Sequence, residues 1–157
     1  MLGNGNNRFQ LLDVRDLVEG ICRAALAGTP RRIYNLGAAE FETVNDDLGA
    51  LLSYAGTGSR ILHVPSRPTK RILSVLSKLH LSPVYRWVYD TADQDSFVSI
   101  ERAQTELGWR PRYSNQDALI ATYAWYLGEG RQMAKQTGTG HRVAWRQGML
   151  RLAKAAL

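Results

Sequence analysis

Strand-like runs and helical periodicities alternate along this chain, and the alternation constrains its fold more than any other feature. Short β-prone runs occupy residues 9–14, 32–36 and 60–64, with a further extended piece at 97–98. Apolar residues recur at helical spacing over 17–26, 44–55, 70–79, 100–107 and 115–127. Alternation of this kind predicts an α/β fold.

Capping and turn residues mark where the predicted helices begin and end. The expected N-caps, whose side-chain oxygens can accept hydrogen bonds from free backbone N–H groups, are Asp16, Thr43, Ser99 and Ser114. The acid three residues after Thr43 completes the pattern of a capping box. The expected helix ends are Gly28, Gly56 and Gly108.

Composition and cysteine content restrict the class of protein. Apolar residues make up 45% of the chain and charged residues 22%, which is typical of a globular domain and not of a disordered one. The single cysteine, Cys22, excludes an intramolecular disulfide, and its apolar surroundings predict a buried small hydrophobic residue. No leader-like or membrane-spanning apolar run is visible, so we expect a cytoplasmic location.

The net charge of +6 is concentrated near the C-terminus. After Gly128 there are six basic residues and one acid, which gives +5 there and leaves +1 for the rest. The sequence therefore predicts a main domain over 1–127, followed over 128–157 by a basic flexible linker and a terminal helix. Because the positive net charge lies mainly in the C-terminal residues, it says little about the function of the main domain.

Four stretches, taken in order, resemble the C-terminal half of the NAD-dependent epimerase/dehydratase family, the extended short-chain dehydrogenases/reductases. They are NRFQLLDVRDL at 7–17, IYNLG at 33–37, a serine-to-LGWRP stretch at 99–111 and a closing helix at 118–126. The resemblance implies the last strands of a Rossmann-like sheet with a small mixed α/β substrate-binding subdomain, and thus an incomplete Rossmann domain. It also implies a sugar-nucleotide substrate and NAD or NADP in the full-length relatives.

The family's cofactor and catalytic motifs are absent from this sequence. No G-x-x-G-x-x-G is present to let a helix N-terminus approach a pyrophosphate, and no tyrosine is followed four residues later by lysine. We therefore expect no catalytic residue and no cofactor binding in this chain alone, and whether the chain is an enzyme stays open. The implied partners are the missing N-terminal Rossmann half and, in the full-length form, a second copy.

The resemblance also nominates substrate-binding residues. Arg8 lies near the position from which relatives contact the nucleotide diphosphate, although a solvated surface arginine is an equal alternative. Gln10 could add a polar contact or be a polar residue at a sheet edge. Tyr85 and Trp87 lie where the family builds a substrate lid, and core packing is their alternative. Thr105 stands where UDP-sugar epimerases have arginine, which weakens the prediction of a UDP-sugar in particular.

Two other functions remain as alternatives. One is a stand-alone, non-catalytic sugar-nucleotide-binding module, and the other is a truncated product whose basic tail binds anionic surfaces. Against a stand-alone module, the helix after Asp16 and the strand at 33–36 would leave an apolar patch uncovered. Specific nucleic-acid binding is not expected, and the three histidines, His63, His80 and His141, show no metal-ligand spacing.

Overall fold

The computed structural model describes residues 1–78 and 86–130. The chain divides into two units, Met1–Ala121 and Thr122–Leu157. The helices are α1 (Val14–Ala27), α2 (Val44–Ala55), α3 (Ser66–Lys78), α4 (Arg86–Thr91), α5 (Glu101–Leu107) and α6 (Asn115–Trp125), followed by a π-helical turn at Tyr126–Gly130. Within the described ranges, no helix is long and apolar enough to cross a membrane. The predicted boundary at 127/128 and the terminal helix beyond 130 stay predictions, because residues 131–157 lie outside the described part.

The start of α1 differs from the prediction. Its N-cap is Asp13, whose carboxylate accepts a hydrogen bond from the backbone N–H of Arg15 at 2.8 Å. Asp16, which we predicted to be the cap, lies inside the first turn and is fully buried. The prediction was wrong because both aspartates precede the apolar stripe, and the partners that hold Asp16 lie far along the chain.

The other caps depend on residues close in sequence. Thr43 caps α2, since its hydroxyl accepts from the backbone N–H of Asp46 at 3.2 Å and donates to the Asp46 carboxylate at 2.5 Å. Ser114 forms the same reciprocal arrangement with Asp117 at the start of α6. Ser99 is not the N-cap of α5, because Ile100 occupies that position.

The predicted helix ends are confirmed. Gly56 and Gly108 end α2 and α5 in the left-handed region, with φ of 61° and 59°. Gly28 ends α1 in an extended conformation, and its N–H donates to the carbonyl of Ala24. Gly56 and Gly108 therefore allow the chain to leave its helix without the strain that a Cβ would add at positive φ, and at Gly28 a Cβ would overlap the carbonyl oxygen of Ala24.

The predicted strands do not form a sheet among the described residues. Pairing there is limited to isolated bridges: Leu2 with Val64, Arg8 with Thr43, and Phe9 with Ser96. A strand requires a neighbour that accepts its backbone hydrogen bonds. Ile33, in the second predicted strand, is 77% exposed, and its carbonyl accepts a hydrogen bond from the side chain of Arg102 instead.

The core forms where α1 and α5 meet the turn that follows α5. Trp109 and Ala103 are fully buried, and Leu107 is nearly so. The partly buried residues packed around them are Leu12, Ala24, Tyr34, Leu36 and Ile100. Gly20 permits this packing, because a Cβ there would lie 2.6 Å from the Leu36 side chain.

The opposite face of α1 is apolar and uncovered. Its exposed side chains include Val14 at 67%, Val18 at 55%, Ile21 at 57% and Leu26 at 89%. Cys22 is exposed on the same helix, so the prediction of a buried cysteine was wrong. The helix has an apolar stripe as predicted, but the side buried in the described core is the one carrying Asp16 and Gly20.

Candidate functional site

Arg8 lies in a segment that residues 95 and 96 hold in place. The N–H of Ser96 donates to the carbonyl of Arg8 at 2.8 Å, and the N–H of Gln10 donates to the carbonyl of Ser96 at 2.9 Å. The N–H of Arg8 donates to the carboxylate of Asp95 at 2.8 Å. The backbone position of Arg8 is therefore fixed by hydrogen bonds from residues about ninety positions away.

The side chain of Arg8 packs against two aromatic rings. Its guanidinium carbon lies 4.5 Å from the ring centroid of Phe41 and 5.8 Å from that of Phe97. One terminal nitrogen donates to the carbonyl of Phe41 at 2.9 Å. Among the described residues no carboxylate pairs with the Arg8 guanidinium, so an exposed cation rests on an aromatic pair with N–H groups free to bind an anion.

The side-chain amide of Gln10, two residues after Arg8, is engaged in hydrogen bonds to the backbone. Its amide nitrogen donates to the carbonyl of Ala38 at 2.7 Å, and its amide oxygen accepts from the N–H of Val98 at 2.9 Å. A Cβ on Gly37 would overlap this amide, so the glycine leaves room for it. Gln10 thus connects the segments that carry the two phenylalanines, and its contact with substrate stays a prediction.

The lid role of Tyr85 and Trp87 stays a prediction. Trp87 lies in the short helix α4, and Tyr85 lies outside the described residues. Thr105, on α5, donates its hydroxyl proton to the carbonyl of Glu101 at 2.9 Å. It lines a polar cavity of about 390 Å³ together with Ile33, Asn35, Ser99, Glu101, Arg102 and Glu106.

Phe41 and Phe97 are the site residues that the sequence did not reveal. They lie 33 and 89 positions after Arg8, and no local spacing connects them with it. The only available signal was that Phe97 belongs to a short extended piece near the LGWRP stretch. Their ring centroids lie 5.6 Å apart at an interplanar angle of 46°.

The N-termini of three helices do not fit the pyrophosphate of a dinucleotide. Asp13 caps α1, Asp46 and Asp47 lie in the first turn of α2, and Asp117 accepts the N–H of Ser114 at the start of α6. These carboxylates lie where the dipole of a helix would otherwise bind a phosphate, and their negative charge repels it. The described residues likewise contain no group of three or more histidine, cysteine or acidic side chains that could hold a metal ion.

Sequence comparison identifies longer relatives. No protein-family model matches the chain. An uncharacterized protein of Sinorhizobium fredii, y4nG, is 37% identical over all 157 residues, which are 39% of its length. A dTDP-glucose 4,6-dehydratase of Streptomyces niveus is 30% identical over 126 residues, which are 79% of this chain and 31% of that enzyme. The chain therefore spans two fifths or less of these relatives.

Structural comparison gives the same picture for the fold. The dTDP-glucose 4,6-dehydratase of Bacillus anthracis, solved with NAD, matches 83% of this chain and 35% of its own with a TM-score of 0.58 and 20% identity. The enzyme WbmF of Bordetella bronchiseptica, solved with NAD⁺ and UDP, matches 84% of this chain and 32% of its own with a TM-score of 0.57 and 22% identity. Both matches leave about two thirds of the longer protein uncovered.

Proposed function

We propose that this chain, which belongs to the NAD-dependent epimerase/dehydratase family, corresponds to the C-terminal half of such an enzyme and forms the substrate-binding portion of an NAD(P)-dependent sugar-nucleotide epimerase, dehydratase or reductase. The substrate would be a nucleoside diphosphate sugar. On its own the chain would bind this substrate without transforming it.

The observation that carries the proposal is the exposed Arg8 guanidinium on Phe41 and Phe97. A guanidinium binds phosphate oxygens through paired N–H donors. Because the Arg8 side chain is already stacked against two rings, it has few rotamers to lose and should lose little conformational entropy when a ligand binds. The ring edges add an apolar surface beside the cation, which suits a sugar or a base. Relatives whose names specify a dTDP-sugar or whose structures contain UDP are consistent with that ligand class.

We assign NAD(P) binding and the chemical step to the part of the whole protein that this chain does not match. The sequence has no glycine-rich cofactor loop and no tyrosine–lysine pair, and the starts of α1, α2 and α6 carry carboxylates, which do not suit a pyrophosphate. The residues of this chain would bind and orient the sugar nucleotide. The choice among epimerisation, dehydration and reduction would then be made by groups outside it.

The exposed apolar face of α1 supports a partner in the same protein. We propose that the missing N-terminal Rossmann half covers Val14, Val18, Ile21 and Leu26, since a soluble domain rarely exposes so continuous an apolar surface. The homodimer of the full-length form, the cytoplasmic location and a role for the basic residues after 130 stay predictions.

Binding of UDP and dTDP, measured by titration calorimetry on the full chain, tests the proposal. Losing one charge-assisted contact costs about 1.5–3 kcal/mol, so Arg8→Gln should weaken binding by about tenfold or more. Arg60→Gln is the matched control, because Arg60 is also exposed but lies outside this cluster. The proposal fails if neither nucleotide binds, or if Arg8→Gln binds as tightly as the unaltered chain.

A separate assay tests the absence of catalysis. The chain is mixed with NAD⁺ and dTDP-glucose, and the absorbance of NADH and the keto-sugar product are followed. We expect neither to form. Turnover by the purified chain would place the chemistry within these 157 residues and overturn the assignment.

A further inference from the structure

A second cavity lies between α2, α6 and the segment that precedes α1. Its volume is about 470 Å³. It is lined by Asn7, Phe9, Leu11, Val44, Asp47, Leu48, Thr91, Ala92, Asn115 and Leu119. Five of these are large apolar side chains, which is the usual make-up of a small-molecule pocket that carries a few orienting polar groups.

The polar side chains of the lining are engaged, with one exception. The amide oxygen of Asn115 accepts from the N–H of Leu11 at 2.8 Å, and its amide nitrogen donates to the carbonyl of Phe9 and to a carboxylate oxygen of Asp47, both at 2.7 Å. The amide nitrogen of Asn7 donates to the carbonyl of Gln94 at 3.1 Å. These groups hold the walls together and have little capacity left for a ligand.

The exception is Asp47. Its side chain is buried, with the residue 4% exposed, and its second carboxylate oxygen, Oδ1, has no hydrogen-bond partner among the described residues. A buried acceptor without a partner costs about 1–3 kcal/mol. One oxygen of a residue that lines an apolar cavity is fixed by Asn115 and the other is buried without a partner, and this arrangement points to a donor supplied by a molecule in the cavity.

We propose that this cavity binds a small, mainly apolar molecule that carries one O–H or N–H group, and that this group donates a hydrogen bond to Oδ1 of Asp47. No arginine, lysine or histidine lines the cavity, so an anion would meet an acceptor and find no cation. The ligand class therefore differs from the nucleotide diphosphate proposed at Arg8. An engineered apolar cavity of about 150 Å³ holds benzene, so the space here suffices for a substituted ring.

The cavity and the Arg8 cluster use alternate residues of one segment. Phe9 and Leu11 line the cavity, whereas Arg8 contacts Phe41 and Gln10 joins Ala38 to Val98. Successive side chains of an extended segment point to opposite sides. The two ligand classes are thus assigned to opposite sides of residues 8–11, and neither assignment depends on the other.

Phenol and anisole form a matched pair of probes, because methylation of the oxygen removes the donor and leaves the ring unchanged. Binding of each to the full chain is measured by ligand-observed NMR titration. The unaltered chain should bind phenol about tenfold more tightly than anisole, the difference expected for one satisfied buried acceptor. Equal affinities, or no binding of phenol, would overturn the proposal.

Two variants assign the binding to this cavity. Asp47→Asn keeps the size of the side chain and offers an N–H in place of the free oxygen, so the preference for phenol should disappear. Leu119→Phe should abolish binding by filling the cavity, and Leu48→Phe repeats that test from α2 if the first variant lowers the melting temperature. Leu26→Phe, at an 89% exposed position, is the control and should bind as the unaltered chain does. Unchanged phenol binding in both filling variants would exclude the cavity.

Discussion

The indole N–H of Trp109 donates a hydrogen bond to the backbone carbonyl of Asp16 at 3.0 Å, across 93 positions of sequence. The carboxylate of the same aspartate accepts from the backbone N–H groups of Arg112 and Tyr113, at 2.9 and 3.1 Å. One buried residue of α1 thus binds both the tryptophan that ends the LGW stretch and the chain that follows it. These hydrogen bonds join α1 to the chain that follows α5, and Arg8 lies on the segment that leads directly into α1.

Replacing Trp109 tests the importance of that contact. Trp109→Phe removes the N–H donor and part of a fully buried ring, and we expect the free energy of unfolding to fall by about 1–3 kcal/mol. Urea denaturation followed by circular dichroism measures it. Trp125→Phe is the matched control, since Trp125 is 51% exposed and should change stability by about 0.5 kcal/mol or less. Equal effects of the two variants would contradict the packing described here.

Two glycines in helices should respond in opposite directions to alanine. Gly20→Ala places a Cβ 2.6 Å from Leu36 and 3.2 Å from the Trp109 nitrogen, so overpacking should cost about 1–3 kcal/mol. Gly49→Ala, in the middle of α2, meets no atom within 4 Å and should stabilise the chain by about 0.5–1 kcal/mol through helix propensity. Thermal unfolding of both variants measures the difference. A stabilising Gly20→Ala would show that α1 does not approach Trp109 closely.

Acid should destabilise the chain, in part through Asp13. Two hydrogen bonds from the Arg15 guanidinium, both at 2.8 Å, hold the pKa of the Asp13 carboxyl below its ordinary value. Lys70 lowers the pKa of Asp93, and the backbone N–H of Ser114 lowers that of Asp117. A carboxyl with a depressed folded-state pKa stabilises the fold above its unfolded pKa, near about 4, and this stabilisation is lost as pH falls through the folded-state value.

The matched variants for that prediction are Arg15→Gln and Arg110→Gln. The first should lower the melting temperature at neutral pH, and its difference from the unaltered chain should shrink as pH falls below about 4. The second alters an exposed arginine, so its melting temperature should change with pH in the same way as that of the unaltered chain. A difference that stays constant down to pH 2 would mean that Arg15 does not act through the ionisation of Asp13.

The uncovered face of α1 should cause the chain to self-associate when it is alone. Val18→Glu combined with Ile21→Glu places two charges on that face, and sedimentation velocity should then show a shift from oligomers to monomers. Val75→Glu changes an exposed valine of α3 instead and should leave self-association unaltered. An unaltered chain that is monomeric at high concentration would contradict a face that requires a partner.

Local contacts were predictable from the sequence, and long-range ones were not. The caps at Thr43 and Ser114 bind acids three residues away, so the short pattern contained all the information needed. Asp16 was misassigned because its partners lie beyond position 108. The strands at 32–36 and 60–64 and the burial of Cys22 depend on neighbours that no local pattern specifies, which is why those predictions failed.

The candidate sites divide in the same way. Arg8 was nominated through the family resemblance, whereas its aromatic neighbours became visible only when the chain was folded. The cavity beside Asp47 was not foreseen, because its defining contact joins Asp47 to Asn115 across 68 positions. The polar character of either residue alone would indicate a solvent-exposed helix start.

The mass of the native protein, detected in its source with an antibody raised against this chain, tests the central claim most directly. If these 157 residues are the substrate-binding part of a longer epimerase/dehydratase, the product should run near about 45 kDa, the mass that follows if the 17.6 kDa chain is 39% of the whole, as it is for the Sinorhizobium relative. A product of 17.6 kDa would contradict the claim, and the chain would then be a protein without its own cofactor-binding half.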